Sequence, residues 1–235
     1  MRPDPKKIAA RIRKTCRAGL VYVTILACHC AQPLLPSPAM PTPAACITRA
    51  ERAIQNRHRG AVLWLTGLSG AGKSTVAQAL ARRLFALDCR SYVLDGDQLR
   101  GGLCADLGFS DAARSENIRR AGELAALFAD AGMIVICAFI SPFAHDRARA
   151  RALLPAGDFL EIYCQCPLAV CEERDVKGLY RRARAGQLPQ FTGISSPYEI
   201  PGAPELVLDT GGGSVDAAVA ALLVLLRERR VTHQA

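Results

Sequence analysis

The residues best equipped for chemistry sit in one short run, Gly67-Leu68-Ser69-Gly70-Ala71-Gly72-Lys73-Ser74-Thr75, which satisfies G-x-x-x-x-G-K-[ST]. Its glycines let the backbone curl closely enough to aim N–H groups at phosphate oxygens, and the helix that follows adds positive potential at its N-terminus. Lys73 can reach the β- and γ-phosphates of a nucleotide, and the Ser74 hydroxyl can ligate Mg²⁺. The bland alternative is a tight strand-to-helix turn. The context favours phosphate, because a buried-looking strand precedes the loop and a helix-period segment follows it.

Two carboxylates, Asp95 and Asp97, flank Gly96 at the end of a second strand-like run. One can hold Mg²⁺, directly or through water, while the other orients or deprotonates an attacking hydroxyl. In isolation they would read as a solvated turn; opposite a phosphate loop they read as catalytic. Arg100, Arg114, Asn117 and Arg120 share a segment with Phe109, which supplies cations for a second anionic ligand and an aromatic face for a base. Taken singly, they are ordinary surface charges on a helix. Further on, Arg174, Lys177, Arg181, Arg182 and Phe191-Thr192-Gly193 form a basic stretch punctuated by glycine. In a kinase a mobile lid of this kind brings cations to the transferring phosphoryl group and excludes water.

These residues need a scaffold, and from about Cys46 onward short β-rich runs alternate with helix-period segments. That alternation predicts an α/β fold of three layers, a five-stranded parallel sheet with helices on both faces and a lid segment at about 174–195. The predicted strands are 61–66, 91–95, 133–140, 159–164 and 206–209; the main helices are 73–87, 114–131 and 215–229. Ligands of such sheets collect at the carboxyl ends of the strands, where every group named above falls.

The chain has 235 residues and a formal net charge of +9. Residues 1–50 hold eight Lys/Arg and one acid, whereas the remainder holds 22 and 20. The near-neutral remainder excludes a nucleic-acid-binding reading for the catalytic part. Ten cysteines without a paired C-x-x-C read as free thiols in a reducing compartment, not a disulfide framework, and Cys28-His29-Cys30 is a weak metal signal. The apolar run 19–27, behind a basic stretch and ahead of the Pro-rich 33–43, is too short to span a bilayer. Residues 1–45 are expected to be a poorly ordered extension; its outline fits a secretory signal, an organelle transit peptide or a non-native extension. The need for ATP favours a cytoplasmic protein without a membrane span.

Taken in order, the motifs resemble those of the adenylylsulfate kinase family of P-loop kinases. They are 47–49 and 51–52, Trp64 to Thr75, Leu94 to Asp97 with Arg100, and Asp106 to Ser110. Arg114, Glu116 to Arg120, Phe139 to Pro142, Arg174-Asp175, Lys177 to Tyr180, Phe191 to Gly193 and Tyr198-Glu199 follow. The resemblance covers about 46–230. It implies transfer of the ATP γ-phosphoryl to the 3′-hydroxyl of adenosine 5′-phosphosulfate, giving 3′-phosphoadenosine 5′-phosphosulfate in sulfate assimilation. By the same resemblance, Gly67 to Thr75 hold the ATP phosphates, and Gly213 lies at the ATP adenine. Asp97 is the base or metal carboxylate, supported by Asp95, and Mg²⁺ sits at Ser74 and Asp95. Arg100, Arg114 and Asn117 hold the second substrate, Phe109 and Phe191 sandwich its adenine, and Ile140, Ser141 and Lys177 lie nearby. The family marks Ser141 as a phosphoserine intermediate; since in-line transfer needs no covalent stop and no base in the sequence activates it, Ser141 reads here as a substrate contact. A homodimer and association with ATP sulfurylase are also implied.

The chain departs from the family at 100–104, where Arg-Gly-Gly-Leu-Cys replaces Arg-His-Gly-Leu-Asn, at Gln190, where glycine is usual, and in the plain linker 211–213. Two rival readings are a silent nucleotide-binding partner of a sulfurylase and a kinase for another small hydroxyl substrate. Retention of Lys73, Ser74, Asp95 and Asp97 argues against the first, and the Phe109/Phe191 pair with its arginines argues against the second.

Overall fold

A strand that is apolar at every position must be covered on two sides, and the computed structural model, which describes residues 46–232, buries Ala61–Thr66 and Ile134–Ala138 throughout, as the central strands of a five-stranded sheet must be. In chain order the elements are α1 (Arg49–Asn56), β1 (Ala61–Thr66), α2 (Lys73–Ala86), β2 (Ser91–Asp95), α3 (Gly96–Arg100), α4 (Asp111–Asp130) and β3 (Ile134–Ala138). They continue with α5 (Ala144–Arg151), β4 (Phe159–Gln165), α6 (Leu168–Arg174), α7 (Leu179–Arg184), β5 (Leu206–Asp209) and α8 (Val215–Glu228). All strand pairs are parallel, in the order β2-β3-β1-β4-β5.

Alternation along β1 sorts the core into two layers. Ala61, Leu63 and Leu65 pack with Val76, Leu80 and Leu84 of α2 and with Leu222 and Leu226 of α8. Val62 and Trp64 face the other way, onto Ile118, Ala121 and Ala125 of α4. Trp64 lies between Phe139 and Phe159, with ring centroids 5.1 and 5.6 Å away. The sheet and its two helical layers are therefore those expected, and all five strands are present.

The differences lie at element ends and in the short helices. Helix α4 begins three residues before the expected Arg114, because the Ser110 hydroxyl caps it by accepting from Ala113 N at 3.3 Å. Strand β3 is shorter than the apolar run 133–140, since after Phe139 the chain turns out of the sheet at Ser141, whose φ is 38°. Helix α1 is held by a capping box between Thr48 and Glu51, and its Arg49 pairs with the buried Asp158 at 2.7 Å.

The seven cysteines among the described residues are free thiols. Burial pushes the Cys164 thiol up to about 11. The expectations for residues 1–45, including the run 19–27 and Cys28-His29-Cys30, lie outside the described residues. No helix among the described residues is long and apolar enough to cross a membrane.

Candidate active site

The carboxyl ends of the strands open into a cleft of about 930 Å³, of the size that small-molecule sites occupy. One wall is the loop between β1 and α2. Gly70 has φ 76°, and a Cβ there would lie 3.1 Å from the carbonyl oxygen of Cys171, so a side chain would be both strained and crowded. Lys73 is 7% exposed, and its Nζ donates to the carbonyls of Gly67 (3.0 Å) and Leu68 (2.7 Å). Burial pushes its ammonium below the usual lysine range. The cation is thus held against the loop with phosphate oxygens as its natural counter-charge.

The two acids divide between the walls. Asp95 accepts from Ser74 Oγ at 2.5 Å and from the backbone N–H of Asp97 at 3.0 Å, which caps the short α3. Asp97 instead pairs with Lys177, from the segment between α6 and α7. Ser74 and Asp95 place two hard oxygen donors beside the phosphate loop. That set suits a divalent ion that takes most of its remaining ligands from water and phosphate. Among the described residues no cluster of three or more His, Cys, Asp or Glu forms a fuller metal site.

The opposite wall carries the expected second-ligand residues Arg100, Phe109, Arg114, Asn117, Ile140, Ser141, Lys177 and Phe191, and all of them line the cleft. Arg114 ties two distant segments together, donating to the carbonyls of Phe109 (2.9 Å) and Gln190 (2.7 Å). Arg100 donates to the carbonyl of Gly108 at 2.9 Å and lies 4.4 Å over the Phe109 ring. Phe191 is buried and packs edge-on against Tyr180 at 5.1 Å. Asn117 is 5% exposed, and its Oδ1 is buried with no hydrogen-bond partner among the described residues. Arg120, grouped with these cations in the sequence, does not line the cleft. Its guanidinium is taken up by Asp106, Glu116 and the carbonyl of Leu103, and so clamps the loop that leads to Phe109.

Ser141 is buried, and its hydroxyl is fully engaged: it donates to Thr66 Oγ1 at 2.9 Å and accepts from Trp64 Nε1 at 3.1 Å. No base adjoins it. Gly213 lines the far end of the cleft beside Asp209 and Thr210. Arg174 bridges this end to the phosphate loop through the carbonyls of Gly70 (3.3 Å), Thr210 (2.9 Å) and Gly211 (3.0 Å), and Tyr180 Oη donates to Ser69 O at 2.9 Å. The residues that sequence reasoning missed are Asp209 and Thr210, for which the signal was an acid closing β5 as Asp95 closes β2, and Thr66, a lone polar residue ending an apolar strand.

Comparison with known proteins agrees with this geometry. The family model described as adenylylsulphate kinase matches residues 59–209. An adenylyl-sulfate kinase of Acaryochloris marina is 57% identical over 187 residues, 80% of this chain and 91% of the relative. Among solved structures, the Mycobacterium tuberculosis APS kinase CysC in complex with AMPPNP and APS is 50% identical with a TM-score of 0.70, covering 72% of this chain and 99% of that one. A hexameric APS kinase from Thiobacillus denitrificans is 34% identical with a TM-score of 0.58, covering 78% of this chain and 32% of that one.

Proposed function

Because the chain belongs to the adenylylsulphate kinase family, we propose that its cleft transfers the γ-phosphoryl group of ATP to the 3′-hydroxyl of adenosine 5′-phosphosulfate, releasing ADP and 3′-phosphoadenosine 5′-phosphosulfate. The observation that carries this reading is the opposition of two unlike walls in one cleft. A glycine loop with a buried lysine stands on one side, and an acid, two arginines and two phenylalanines stand on the other. A solved relative crystallised with AMPPNP and APS together supports the same pairing of ligands.

In this reading Gly67 to Thr75 hold the triphosphate, with Lys73 balancing charge as the γ-phosphoryl leaves and Gly213 at the adenine edge. Asp97 accepts the proton of the 3′-hydroxyl as that oxygen forms its bond to the γ-phosphorus and the bond to the bridging oxygen of ADP breaks. Lys177, paired with Asp97 before substrate enters, is then free to meet the transferring group. Arg100, Arg114 and Asn117 take the phosphosulfate, and Phe109 and Phe191 take its base. Ile140 and Ser141 form the adjoining wall, with Ser141 a contact and not a phosphorylated intermediate. A kinase of this type uses a divalent cation, which we take to be Mg²⁺ held by Ser74 and Asp95; when bound it neutralises the β- and γ-phosphate oxygens.

The segment 174–195 acts as the lid. The ATP requirement supports a cytoplasmic enzyme, and the hexameric relative supports self-association, for which a homodimer is the smallest form. Association with ATP sulfurylase, which makes the substrate, is the remaining partner this reading names. A coupled ADP-release assay with adenosine 5′-phosphosulfate, run beside AMP, adenosine and gluconate, tests the reading. Turnover with the sulfated nucleotide alone is expected; turnover of another acceptor in its place would overturn it.

A further inference from the structure

Beside the cleft, bonded among the proposed site residues to Ser141 alone, lies an arginine whose burial has no explanation in the chemistry so far. Arg147, on α5, is 2% exposed. Its Nε donates to Glu161 Oε1 at 2.6 Å, its Nη1 to the carbonyl of Ser141 at 2.7 Å, and its Nη2 to the carbonyl of Glu199 at 2.8 Å. Glu161 stands on β4, with a side chain 12% exposed. A buried ion pair of this kind adds little net stability compared with apolar packing, so its value lies in the one conformation it selects.

That conformation is the corner after β3. Ser141 carries φ 38°, a left-handed backbone that a residue with a Cβ adopts only when its surroundings hold it there. The surroundings are specific. The Thr66 hydroxyl donates to the carbonyl of Ile140 at 2.7 Å and receives the Tyr198 hydroxyl at 3.0 Å. The N–H of Glu199 donates to the carbonyl of Pro142 at 2.8 Å, and the Glu199 carboxylate accepts from the N–H of Ala144 at 2.6 Å. Arg147 adds a second tie between the same two strips of backbone, bonding to Ser141 on one and Glu199 on the other. The corner also abuts the acid pair. Ala138 is the register partner of Asp95, and a Cβ on Gly96 would lie 3.3 Å from the Phe139 ring.

We propose that Arg147 is a positioning residue for the acceptor nucleotide. By holding the Ser141 carbonyl it fixes the wall formed by Ile140, Ser141 and Pro142 at the distance from Asp97 at which the acceptor's sugar is received. This rests on the function proposed above. Arg147 bonds to Glu161, Ser141 and Glu199, whereas the ATP loop meets the corner only through Thr66 among the described residues, so loosening the corner should weaken the acceptor's grip more than that of ATP.

The test is steady-state kinetics of Arg147→Met and Arg147→Lys in the full chain, with both substrates varied. For Arg147→Met the KM for adenosine 5′-phosphosulfate is expected to rise about tenfold or more while the KM for ATP stays within about twofold, a loss confined to acceptor binding. Arg147→Lys, which keeps the charge and one donor, is expected to fall between Met and the parent. A merely structural arginine would lower melting temperature and active fraction without separating the two KM values. Unchanged values, or both rising together, overturn the inference. Should both variants fail to fold, Glu161→Gln loosens the same guanidinium in a side chain of unchanged shape. A selective rise of about threefold in acceptor KM is then expected, and its absence is equally decisive. Inactivity of the parent enzyme towards the sulfated nucleotide would instead remove the function reading.

Discussion

Replacing Lys73 with methionine keeps the bulk of the side chain and removes its charge, and the structure sets very unequal consequences for activity and stability. At about 4 Å from a phosphate oxygen, with an effective dielectric of about 20, a unit charge is worth about 4 kcal/mol. Because that interaction strengthens as the γ-phosphoryl separates, most of it is lost from the transition state, and kcat is expected to drop about a thousandfold. Stability should scarcely move. The ammonium is buried and its pKa is pushed down by desolvation, so folding gains by losing it. Against that stand its two bonds to the Gly67 and Leu68 carbonyls, each worth about 1 kcal/mol. The net change should be within about 2 kcal/mol, a shift of at most about 8 °C in melting temperature for a chain of this size. Coupled ADP-release kinetics and thermal melts without nucleotide read the two arms. A rate within tenfold of the parent, or a melting temperature lowered by more than about 10 °C, would refute the assignment of Lys73 as a phosphate cation housed at the expense of the free protein.

Asp97→Asn is expected to lower kcat by about a hundredfold or more with little change in KM for the acceptor, as removal of a general base should; the reverse pattern would recast Asp97 as a binding residue. Gly67→Ala would set a Cβ 2.7 Å from the carbonyl oxygen of Cys164, so ATP-dependent thermal stabilisation should largely disappear, and its retention would show that the loop tolerates the shift. His58 is buried, with Nδ1–H donating to the carbonyl of Arg59 at 3.1 Å and Nε2 accepting from the N–H of Arg90 at 2.9 Å, which requires the neutral ring. Burial holds its pKa below 6.5, so the unfolded chain takes up the proton first; stability is expected to fall as pH drops below 6.5, and His58→Gln should flatten that slope in denaturant melts.

The sheet and the phosphate loop were legible because each has a local signature. Ala61–Thr66 is apolar on both faces, and the glycine–lysine pattern follows it directly. The acid pair was legible from its place at a strand end. Other features depend on tertiary context. Helix α5 reads as a charged, alanine-rich segment, and nothing local separates the buried Arg147 from the 37% exposed Arg151 one turn later on the same helix. Arg120 and Arg114 look alike in sequence; only the positions of Asp106 and Gln190 decide that one clamps a loop and the other lines the cleft. The capping box of Thr48 and Glu51 was visible as T-x-x-E, but the eight-residue helix it starts buries none of its residues and so lacked an apolar stripe to announce it.

The central claim is that a triphosphate and a sulfated nucleotide meet in this cleft with the 3′-oxygen facing Asp97. Phosphorus–proton correlation NMR of the product made from ATP and adenosine 5′-phosphosulfate tests it most directly. The new phosphate should couple to the ribose H3′ and appear in step with ADP. A phosphate coupled to H2′, or inorganic phosphate as the only new signal, would contradict the account.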